Sequence, residues 1–410
     1  MKKIIFLLIL CLMFSSCSFE NNFKDNVIED NTEKENITSP VPEGEYRAVW
    51  INYNELSMKS ENGGSEESFR EKTDVMFKNI SEFKLNTVIV HVRPFSDSFY
   101  KSDIFPWSAY LTGRQGNAPP YDPLKIITEQ AKKYNLNVEA WINPYRVSYK
   151  NSFDDLSDNN PAKIWHNENP QNDDLIEIEK GIFYNPSSRI AQKLIIDGVR
   201  EIVENYEISA IHMDDYFYPT TDDGIDASQY SDYLNEGGQA DLGEWRRQNV
   251  NAFVSGLYSA VKSQNPNVNV VISPAGDIKN NYNNLYADIK EWCSSTGYLD
   301  IIMPQLYYGF NNSAKPFSET AKQWEQAITG DNIKLCLGMA FYKSGKTDAY
   351  AGNGINEWCE NSDICARQLN VMRSLKNYYG FAVYSYSYLF SNNMSENAEK
   401  ECQNLKNMVQ

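Results

Sequence analysis

The stretch Ile208-Ser209-Ala210-Ile211-His212-Met213-Asp214-Asp215-Tyr216-Phe217-Tyr218-Pro219 decides the fold of this chain of 410 residues. A short apolar run ends in two adjacent carboxylates, and aromatic residues and a proline follow at once. This order is typical of a buried strand that opens into a polar, aromatic-lined mouth. His212 and Asp214 share a parity, so along a strand they point to the same side.

The adjacent carboxylates Asp214 and Asp215 are candidate catalytic groups. Like charges raise each other's pKa, so holding two carboxylates together is costly. A strand end rarely needs that cost for folding, whereas acid/base chemistry uses it. The alternative is that one of the two, above all Asp215, only caps the following turn.

Outward from this strand, short apolar runs alternate with longer amphipathic ones from Glu45 onward. The short runs predict strands at Arg47–Asn52, Thr87–Arg93, Val138–Asn143, Ser209–Asp214, Asn269–Ser273, Ile301–Gln305, Lys334–Ala340 and Phe381–Ser385. The amphipathic runs predict helices at Glu66–Phe83, Pro123–Tyr134, Arg189–Tyr206, Leu242–Ser263, Leu285–Ser294, Phe317–Ile328, Asp363–Tyr379 and Ser395–Asn407. Several strands are continuous Val/Ile runs, as in a parallel sheet buried on both faces.

Eight strand–helix repeats without a second shift in composition predict an α/β fold, a single (β/α)8 TIM barrel over residues 45–410. The alternative is a doubly wound open sheet. That fold needs fewer strands and usually has a glycine-rich turn after its first strand that binds phosphates. The residues after Asn52 contain no such glycine-rich sequence.

The N-terminus predicts export. Lys2 and Lys3 precede an apolar run and then Ser15-Ser16-Cys17, so residues 1–16 are predicted to be a signal peptide. The cysteine after small residues resembles a bacterial lipobox, which implies a lipid anchor at Cys17 and a membrane-anchored lipoprotein of the cell envelope. An ordinary cleaved signal is the alternative, and the run is too short for a transmembrane helix. Residues 17–44 are polar and predict a flexible acidic tether.

Net charge, histidine content and cysteine spacing limit the partners and cofactors that this chain can be expected to bind. The net charge of −17 argues against nucleic acid, whose phosphates require basic patches. Only three histidines are present and no metal-binding spacing occurs, so neither a metal nor another cofactor is expected. Cys359 and Cys365 are close enough to bridge a loop in an exported protein, whereas Cys336 reads as a buried apolar residue. No heptads stand out, so a monomer is expected.

The ends of the predicted strands are polar and aromatic, and in a TIM barrel these ends hold the chemistry. Side chains alternate between the two faces of a strand, so His91 and Arg93 share one face, and Glu139, Trp141 and Asn143 share one face of the next strand. We expect both of these faces to point toward the barrel axis. The candidate binding residues are His91, Arg93, Asp97, Trp141, Asn143, Tyr145, Arg146, His212, Tyr216, Gln305 and Tyr307. Any one of them alone could belong to a buried hydrogen-bond network.

The aromatic content points to a sugar ligand. Tyrosine occurs 27 times, often in loops just after strands, and flat rings with a polar handle suit ligands with both CH faces and hydroxyls. The long connections 144–188 and 219–241 are predicted to form two walls of a cleft, and the first shows no clear helix before Arg189. A polysaccharide is therefore the expected partner.

Several longer motifs resemble one known family. They are Arg47-Ala48-Val49-Trp50, Val90-His91-Val92-Arg93-Pro94, Trp107-Ser108-Ala109-Tyr110-Leu111-Thr112-Gly113, Tyr121-Asp122-Pro123-Leu124, Ala140-Trp141-Ile142-Asn143-Pro144-Tyr145-Arg146, the strand-four stretch quoted above, Trp245-Arg246-Arg247-Gln248-Asn249-Val250, Ile272-Ser273-Pro274 and Met303-Pro304-Gln305-Leu306-Tyr307. Together, over residues 45–388, they resemble the glycosyl-hydrolase-like family 10 of bacterial lipoproteins, which includes enzymes that cleave peptidoglycan strands stripped of their stem peptides.

This resemblance implies a (β/α)8 barrel that hydrolyses glycosidic bonds at its mouth. The family motif carries over at Arg93, Asn143, Tyr145, Arg146, His212, Asp214, Asp215, Tyr216 and Gln305. Two places depart from the family pattern. Glu139 stands where histidine is expected, and Ala275-Gly276-Asp277 stands where an aromatic-containing turn is expected.

Most glycosidases use two carboxylates, and we expect Asp214 to be the principal one. Its partner is Asp215, Glu139, Asp97 or Asp277, and for Glu139 an ion pair with Arg93 is the structural alternative. Arg93 and Arg146 would suit carboxylates such as the lactyl groups of muramic acid. Two other functions stay open: a surface glycan-binding lipoprotein without turnover, and a glycosidase for another exported polysaccharide.

Overall fold

The computed structural model describes residues 41–410, so the predicted signal peptide, Cys17 and most of the predicted tether lie outside the described residues. Eight parallel strands close into a barrel in sequence order: β1 (Tyr46–Ile51), β2 (Thr87–Arg93), β3 (Asn137–Ile142), β4 (Ala210–Met213), β5 (Asn269–Ile272), β6 (Ile301–Ile302), β7 (Lys334–Met339) and β8 (Tyr378–Val383). The ring closes where β8 pairs with β1. The predicted TIM barrel is confirmed.

Helices cover the outside of the barrel. Those of eight residues or more are Glu66–Glu82, Pro123–Lys133, Pro161–Glu168, Arg189–Asn205, Ala227–Asn235, Leu242–Gln264, Phe317–Ala327, Ile364–Arg373 and Glu396–Val409. Shorter helical segments are Lys59–Glu61, Ala109–Thr112, Ile278–Asn284, Ile289–Ser294, Phe341–Lys343, Gly352–Gly354, Glu357–Glu360 and Tyr386–Leu389. None of the helices in residues 41–410 is both long and apolar enough to cross a bilayer.

The first long helix illustrates how the sequence sets this arrangement. Ser65 accepts a hydrogen bond from the backbone N–H of Ser68, whose side chain bonds back to the backbone of Ser65, so the helix begins with a capping box. Phe69, Phe77 and Ile80 then repeat at helical spacing and are fully buried against the strands. A second, smaller core inside the barrel contains the side chains that alternate inward along the strands.

The connection 144–188 is more ordered than the sequence predicts. It contains a three-stranded antiparallel sheet of Arg146–Ser148, Leu175–Ile178 and Gly181–Tyr184, and the helix Pro161–Glu168. That helix is correctly marked by Asn160 as N-cap and by the proline that follows. The prediction of no helix before Arg189 is therefore wrong, because a helix of eight residues gives too short a periodic signal.

Two other element boundaries were predicted wrongly. The helix predicted at Leu285–Ser294 begins only at Ile289, because Tyr286 has a positive φ of 53° and Asp288 caps the helix, and a separate helix, Ile278–Asn284, precedes it. The helix predicted at Asp363–Tyr379 ends at Arg373, and β8 already begins at Tyr378. Aromatic residues at the start of β8 continue the helical pattern and hide this boundary.

The cysteines are all unpaired in the described residues. Cys359 is exposed, whereas Cys365 is buried in the next helix, and the structure contains no bridge between them, although their spacing would permit one. Burial, and then the carboxylate of Glu401, raise the pKa of the Cys365 thiol. Cys336 is a fully buried member of the inner core, as predicted.

Candidate active site

A cavity of about 360 Å³ opens at the carboxyl ends of the barrel strands. Every strand, or the residues directly after it, contributes to its wall, from Trp50 on β1 to Tyr384 after β8. Eight of the predicted residues line it: His91, Trp141, Asn143, Arg146, Asp214, Tyr216, Gln305 and Tyr307. Its size lies in the range of small-ligand sites.

Asp214 lies in the cavity wall directly after β4. The side chain is 4% exposed, and neither carboxylate oxygen has a well-formed hydrogen bond from the described residues. The indole of Trp141 and the backbone N–H of Tyr216 are the nearest donors. Burial, and then the charge of Asp215, raise the pKa of Asp214 well above its ordinary value.

Asp215 is only partly buried and lies beside the cavity. Burial raises the pKa of Asp215 to about 6, although the side-chain amide of Gln305 and the charge of Arg146 favour its ionised form. Because the two carboxyl groups interact, they titrate as a pair, and both release their protons at higher pH than an ordinary aspartate. One protonated and one ionised carboxyl is the combination that acid/base chemistry requires.

Arg146 supplies positive charge at the same place. Its guanidinium lies 4.4 Å from the ring centre of Tyr216 and 5.5 Å from that of Tyr149. Both Asp214 and Asp215 are within its electrostatic reach. Within residues 41–410 it forms no ion pair at direct contact distance, so its charge stays available to a ligand.

Below the cavity, His212 is held by a hydrogen-bond network. Trp50 donates from its indole nitrogen to Nε2 of His212 at 3.4 Å, and an indole can only donate. Nε2 is therefore unprotonated, so Nδ1 donates to Glu139 Oε2 at 2.8 Å. Glu139 Oε1 accepts from the hydroxyl of Tyr46 at 2.8 Å, and Ser273 Oγ lies 2.9 Å from Nε2.

The structure therefore pairs Glu139 with His212 and Tyr46, and not with Arg93. Glu139 is 2% exposed and does not line the cavity. Its position beneath His212 suits a residue that fixes the tautomer and orientation of the imidazole.

Much of the remaining cavity wall is aromatic. His91 stacks on Trp141 with ring centres 3.6 Å apart. Burial lowers the pKa of His91 well below its ordinary value, so this histidine is neutral. Tyr307 and Tyr384 lie with ring centres 5.9 Å apart and complete a surface of flat rings.

Arg93 and Asp97, both predicted as binding residues, lie outside the cavity. The pairing of β2 with β3 shifts between His91 and Arg93, so Arg93 is opposite the outward-facing Ile142. This bulge reverses the side on which the arginine lies, and the parity prediction for Arg93 is wrong for that reason. Its guanidinium packs 4.7 Å from the ring of Phe105.

Tyr145 is also separate from the cavity. Its ring is fully buried and lies 5.0 Å from that of Phe253. It belongs to the core between the barrel and the helix Leu242–Gln264, so the structure does not bring it to the predicted binding site.

The sequence reasoning missed part of the wall. The residues concerned are Trp50, Asn52, Tyr53, Asn54, Tyr149, Ser273, Tyr342 and Tyr384. Asn52-Tyr53-Asn54 directly follows β1, so the rule that strand ends carry the site would have found these three. Tyr342 lies after β7, where a glycine-containing apolar strand gave no polar signal.

The connection 219–241 is fixed by a buried ion pair. Arg246 donates from Nε and Nη2 to Asp226 at 2.9 and 2.6 Å and from Nη1 to the hydroxyl of Tyr286 at 2.9 Å. The guanidinium lies near the rings of both Tyr218 and Tyr286. These contacts fasten the segment that follows the Asp214–Asp215 pair.

A TIM barrel with a carboxylate pair at an aromatic mouth is an arrangement found in glycoside hydrolases, and solved structures share the fold. The glycoside hydrolase domain of PgaB (BpsB) from Bordetella bronchiseptica superposes with a TM-score of 0.57 and 13% identity, over 87% of this chain and 98% of that one. The catalytic domain of the β-amylase from Paenibacillus polymyxa gives a TM-score of 0.57 at 10% identity, over 90% of this chain and 100% of that one.

Sequence comparison defines the family. The family model glycosyl hydrolase-like 10 matches residues 45–351. Glycosyl hydrolase YngK of Bacillus subtilis (strain 168) is 33% identical over 318 residues, which are 73% of this chain and 61% of YngK. Glycosyl hydrolase DigH of Escherichia coli O6:H1 is 30% identical over 335 residues, 76% of this chain and 74% of DigH. The chain belongs to the glycosyl hydrolase-like 10 family.

Proposed function

We propose that this glycoside hydrolase cleaves internal glycosidic bonds of a bacterial cell-wall polysaccharide. The proposed substrate is peptidoglycan strands free of stem peptides. One observation carries the proposal: the coupled carboxyl groups of Asp214 and Asp215 lie at the mouth of an aromatic-lined cavity. Flat rings stack on the CH faces of sugars, and a protonated carboxyl can give its proton to the leaving oxygen.

The charge of Arg146 supports an acidic glycan. A guanidinium in the wall with no direct ion pair among residues 41–410 can bind a carboxylate in bidentate fashion, and the lactyl group of muramic acid provides one. Peptide-free strands keep this carboxylate exposed. Arg93, the other arginine expected in this role, packs outside the cavity.

We also propose that the enzyme is exported and attached to a membrane of the cell envelope through a lipid on Cys17. The support is the sequence of residues 1–17 alone. Under this proposal the catalytic barrel is tethered close to the cell wall that it degrades. We further propose that the barrel is monomeric.

The test is to incubate the purified full-length protein with intact sacculi and with strands stripped by an amidase. Released fragments are identified by mass spectrometry, with Asp214→Asn as the matched variant. We expect oligosaccharides from stripped strands with wild type and none with the variant. Binding of strands without products would instead favour a glycan-binding lipoprotein, and products from another exported polysaccharide alone would change the substrate.

A further inference from the structure

We propose that the nucleophile of this enzyme is the substrate's own 2-acetamido group, oriented by Asp214, while Asp215 acts as general acid and base. The inference rests on the proposed function, because it requires an N-acetylated amino sugar on the reacting side of the bond. It goes further by naming the group that attacks the anomeric carbon and the stereochemistry of the product.

The first observation is the number of carboxylates available. Among residues 41–410, Asp214 is the one carboxylate in the cavity wall, and its partner is the next residue in the chain. Glu139 is buried beneath His212, and Glu55 is held by Ser385 and the backbone N–H groups of Ser387 and Asn52.

Among the residues that the structure describes, the cavity wall therefore offers no second carboxylate that could act as nucleophile or base from the opposite face of the sugar. Glycosidases with an enzyme nucleophile need two carboxyl groups about 5–5.5 Å apart on both sides of the bond, and inverting enzymes need about 6.5–9.5 Å. Asp214 and Asp215 are adjacent in the chain after β4, and Asp215 lies beside the cavity and not on a wall that faces Asp214. A carbonyl oxygen of the substrate can supply the second group.

The second observation is that the surroundings of Asp214 match an acetamido group. Its oxygens are buried without well-formed hydrogen bonds from the described residues, so they can accept the amide N–H. Trp141 contacts the carboxyl group, and Tyr216 and Tyr384 lie within electrostatic reach of it. Aromatic rings around a single acceptor provide an apolar place for the methyl group.

The reaction then balances in two steps. In the first, the acetamido carbonyl oxygen bonds to the anomeric carbon, the glycosidic C–O bond breaks, and Asp215 gives its proton to the leaving oxygen. The positive charge of the resulting oxazolinium ring faces the Asp214 carboxylate. In the second, Asp215 takes a proton from water, the water oxygen bonds to the anomeric carbon, and the ring reopens to the acetamido group.

The coupling of the pair supports this division. In the free enzyme, burial raises the pKa of both carboxyl groups, so the pair can hold a shared proton. An amide N–H that donates to Asp214 favours its ionised form, and the shared proton then resides on Asp215. Binding of an N-acetylated sugar thereby protonates Asp215, the general acid.

The first test uses wild-type enzyme and stripped strands in three forms: N-acetylated, de-N-acetylated, and re-acylated with trifluoroacetyl groups. We expect cleavage of the first, no product from the second, and a rate lowered by about a hundredfold or more for the third, because fluorine withdraws electrons from the attacking oxygen. NMR of the first product should show retained anomeric configuration. Equal rates on N-acetylated and de-N-acetylated strands, or inversion, would overturn the inference and leave the proposed function intact. No cleavage of any strand would overturn both.

The second test measures binding without turnover. The probe is a thiazoline fused to N-acetylglucosamine, a stable analogue of the cyclic intermediate, titrated calorimetrically into wild type and two variants. Asp214→Asn should weaken binding by about tenfold or more, while Asp215→Asn should change it by less than about threefold. Equal losses in both variants, or no binding to wild type, would contradict the assigned roles.

Discussion

Two polar clusters lie near the mouth of this barrel, and one of them lines the cavity. The first contains Asp214, Asp215 and Arg146, and the second contains Arg93 and Asp97. Each combines carboxylate with guanidinium after a barrel strand. Burial raises the pKa of Asp97 to about 6, the same value that Asp215 reaches.

The difference lies in what surrounds the groups. Ser108 and Gln115 favour the ionised form of Asp97, one of whose carboxylate oxygens has no hydrogen-bond partner among the described residues, and Arg93 packs on Phe105 behind β2. Asp214 also lacks well-formed hydrogen bonds from the described residues, but its carboxylate lies in the wall of the cavity, where a ligand can reach it. A perturbed pKa therefore marks a functional site here only in combination with a cavity.

The largest expected effect separates the two clusters by activity. Asp214→Asn should lower kcat/KM on stripped strands by about a thousandfold or more, because the variant can neither ionise nor share a proton with Asp215. Asp97→Asn should leave kcat/KM within about threefold of wild type, since Asp97 has no access to the substrate. Release of soluble saccharides measures both. A large loss in Asp97→Asn with an unchanged fold would remove the distinction between the clusters.

The second effect concerns stability. Arg93→Ala should lower the free energy of unfolding by about 2–4 kcal/mol, because it removes packing on Phe105 and leaves a buried gap beside Asp97. Denaturant unfolding measures the loss, and Arg93→Met, which keeps most of the side-chain volume, is the control and should lose less. Activity per folded molecule should stay near that of wild type in both variants.

The third effect is the converse, an arginine that serves the ligand. Arg146→Met should lower kcat/KM by about 10- to 100-fold on strands that carry lactyl carboxylates, because a charge-assisted pair is lost. The same variant should lose much less on strands whose lactyl groups have been converted to amides. A similar loss on both substrates would place Arg146 with the catalytic carboxylates and not with the acidic group of the sugar.

The sequence predicted the position of one of these two clusters and not of the other, and the reason lies in the backbone. The barrel followed from eight apolar runs, and the Asp214–Asp215 pair followed from their place after one of those runs. The position of Arg93 could not be predicted, because a single bulge residue in β2 turns it outward and leaves no trace in the composition. Tyr145 was misplaced for a related reason: beyond the end of a strand, alternation no longer fixes which side a ring takes.

A fourth prediction concerns the network below the cavity. Glu139→Gln should lower kcat/KM by about tenfold, because a neutral amide no longer fixes the protonated Nδ1 of His212. If Glu139 were the second catalytic carboxylate, the loss would match that of Asp214→Asn. The pH profile adds a second criterion: a positioning residue lowers the rate without changing the pH at which it falls.

The smallest expected effect is in the pH dependence of stability. Asp215 has a folded pKa of about 6, above the value of an unfolded aspartate, so the unfolded state releases its proton first as pH rises. Below about pH 4 this carboxyl does not lower the free energy of unfolding. Between about pH 4 and pH 6 it lowers the free energy of unfolding progressively, and above about pH 6 the full loss remains. Asp215→Asn removes the cost, so the free energy of unfolding of the variant should match that of wild type at pH 4 and exceed it at pH 7 by an amount on the order of 1 kcal/mol. Asp97→Asn should show the same pH window, because the pKa of Asp97 is also about 6. Stability would thus fail to distinguish two clusters that activity separates, which is the expected result if only the cavity makes one of them a catalytic site.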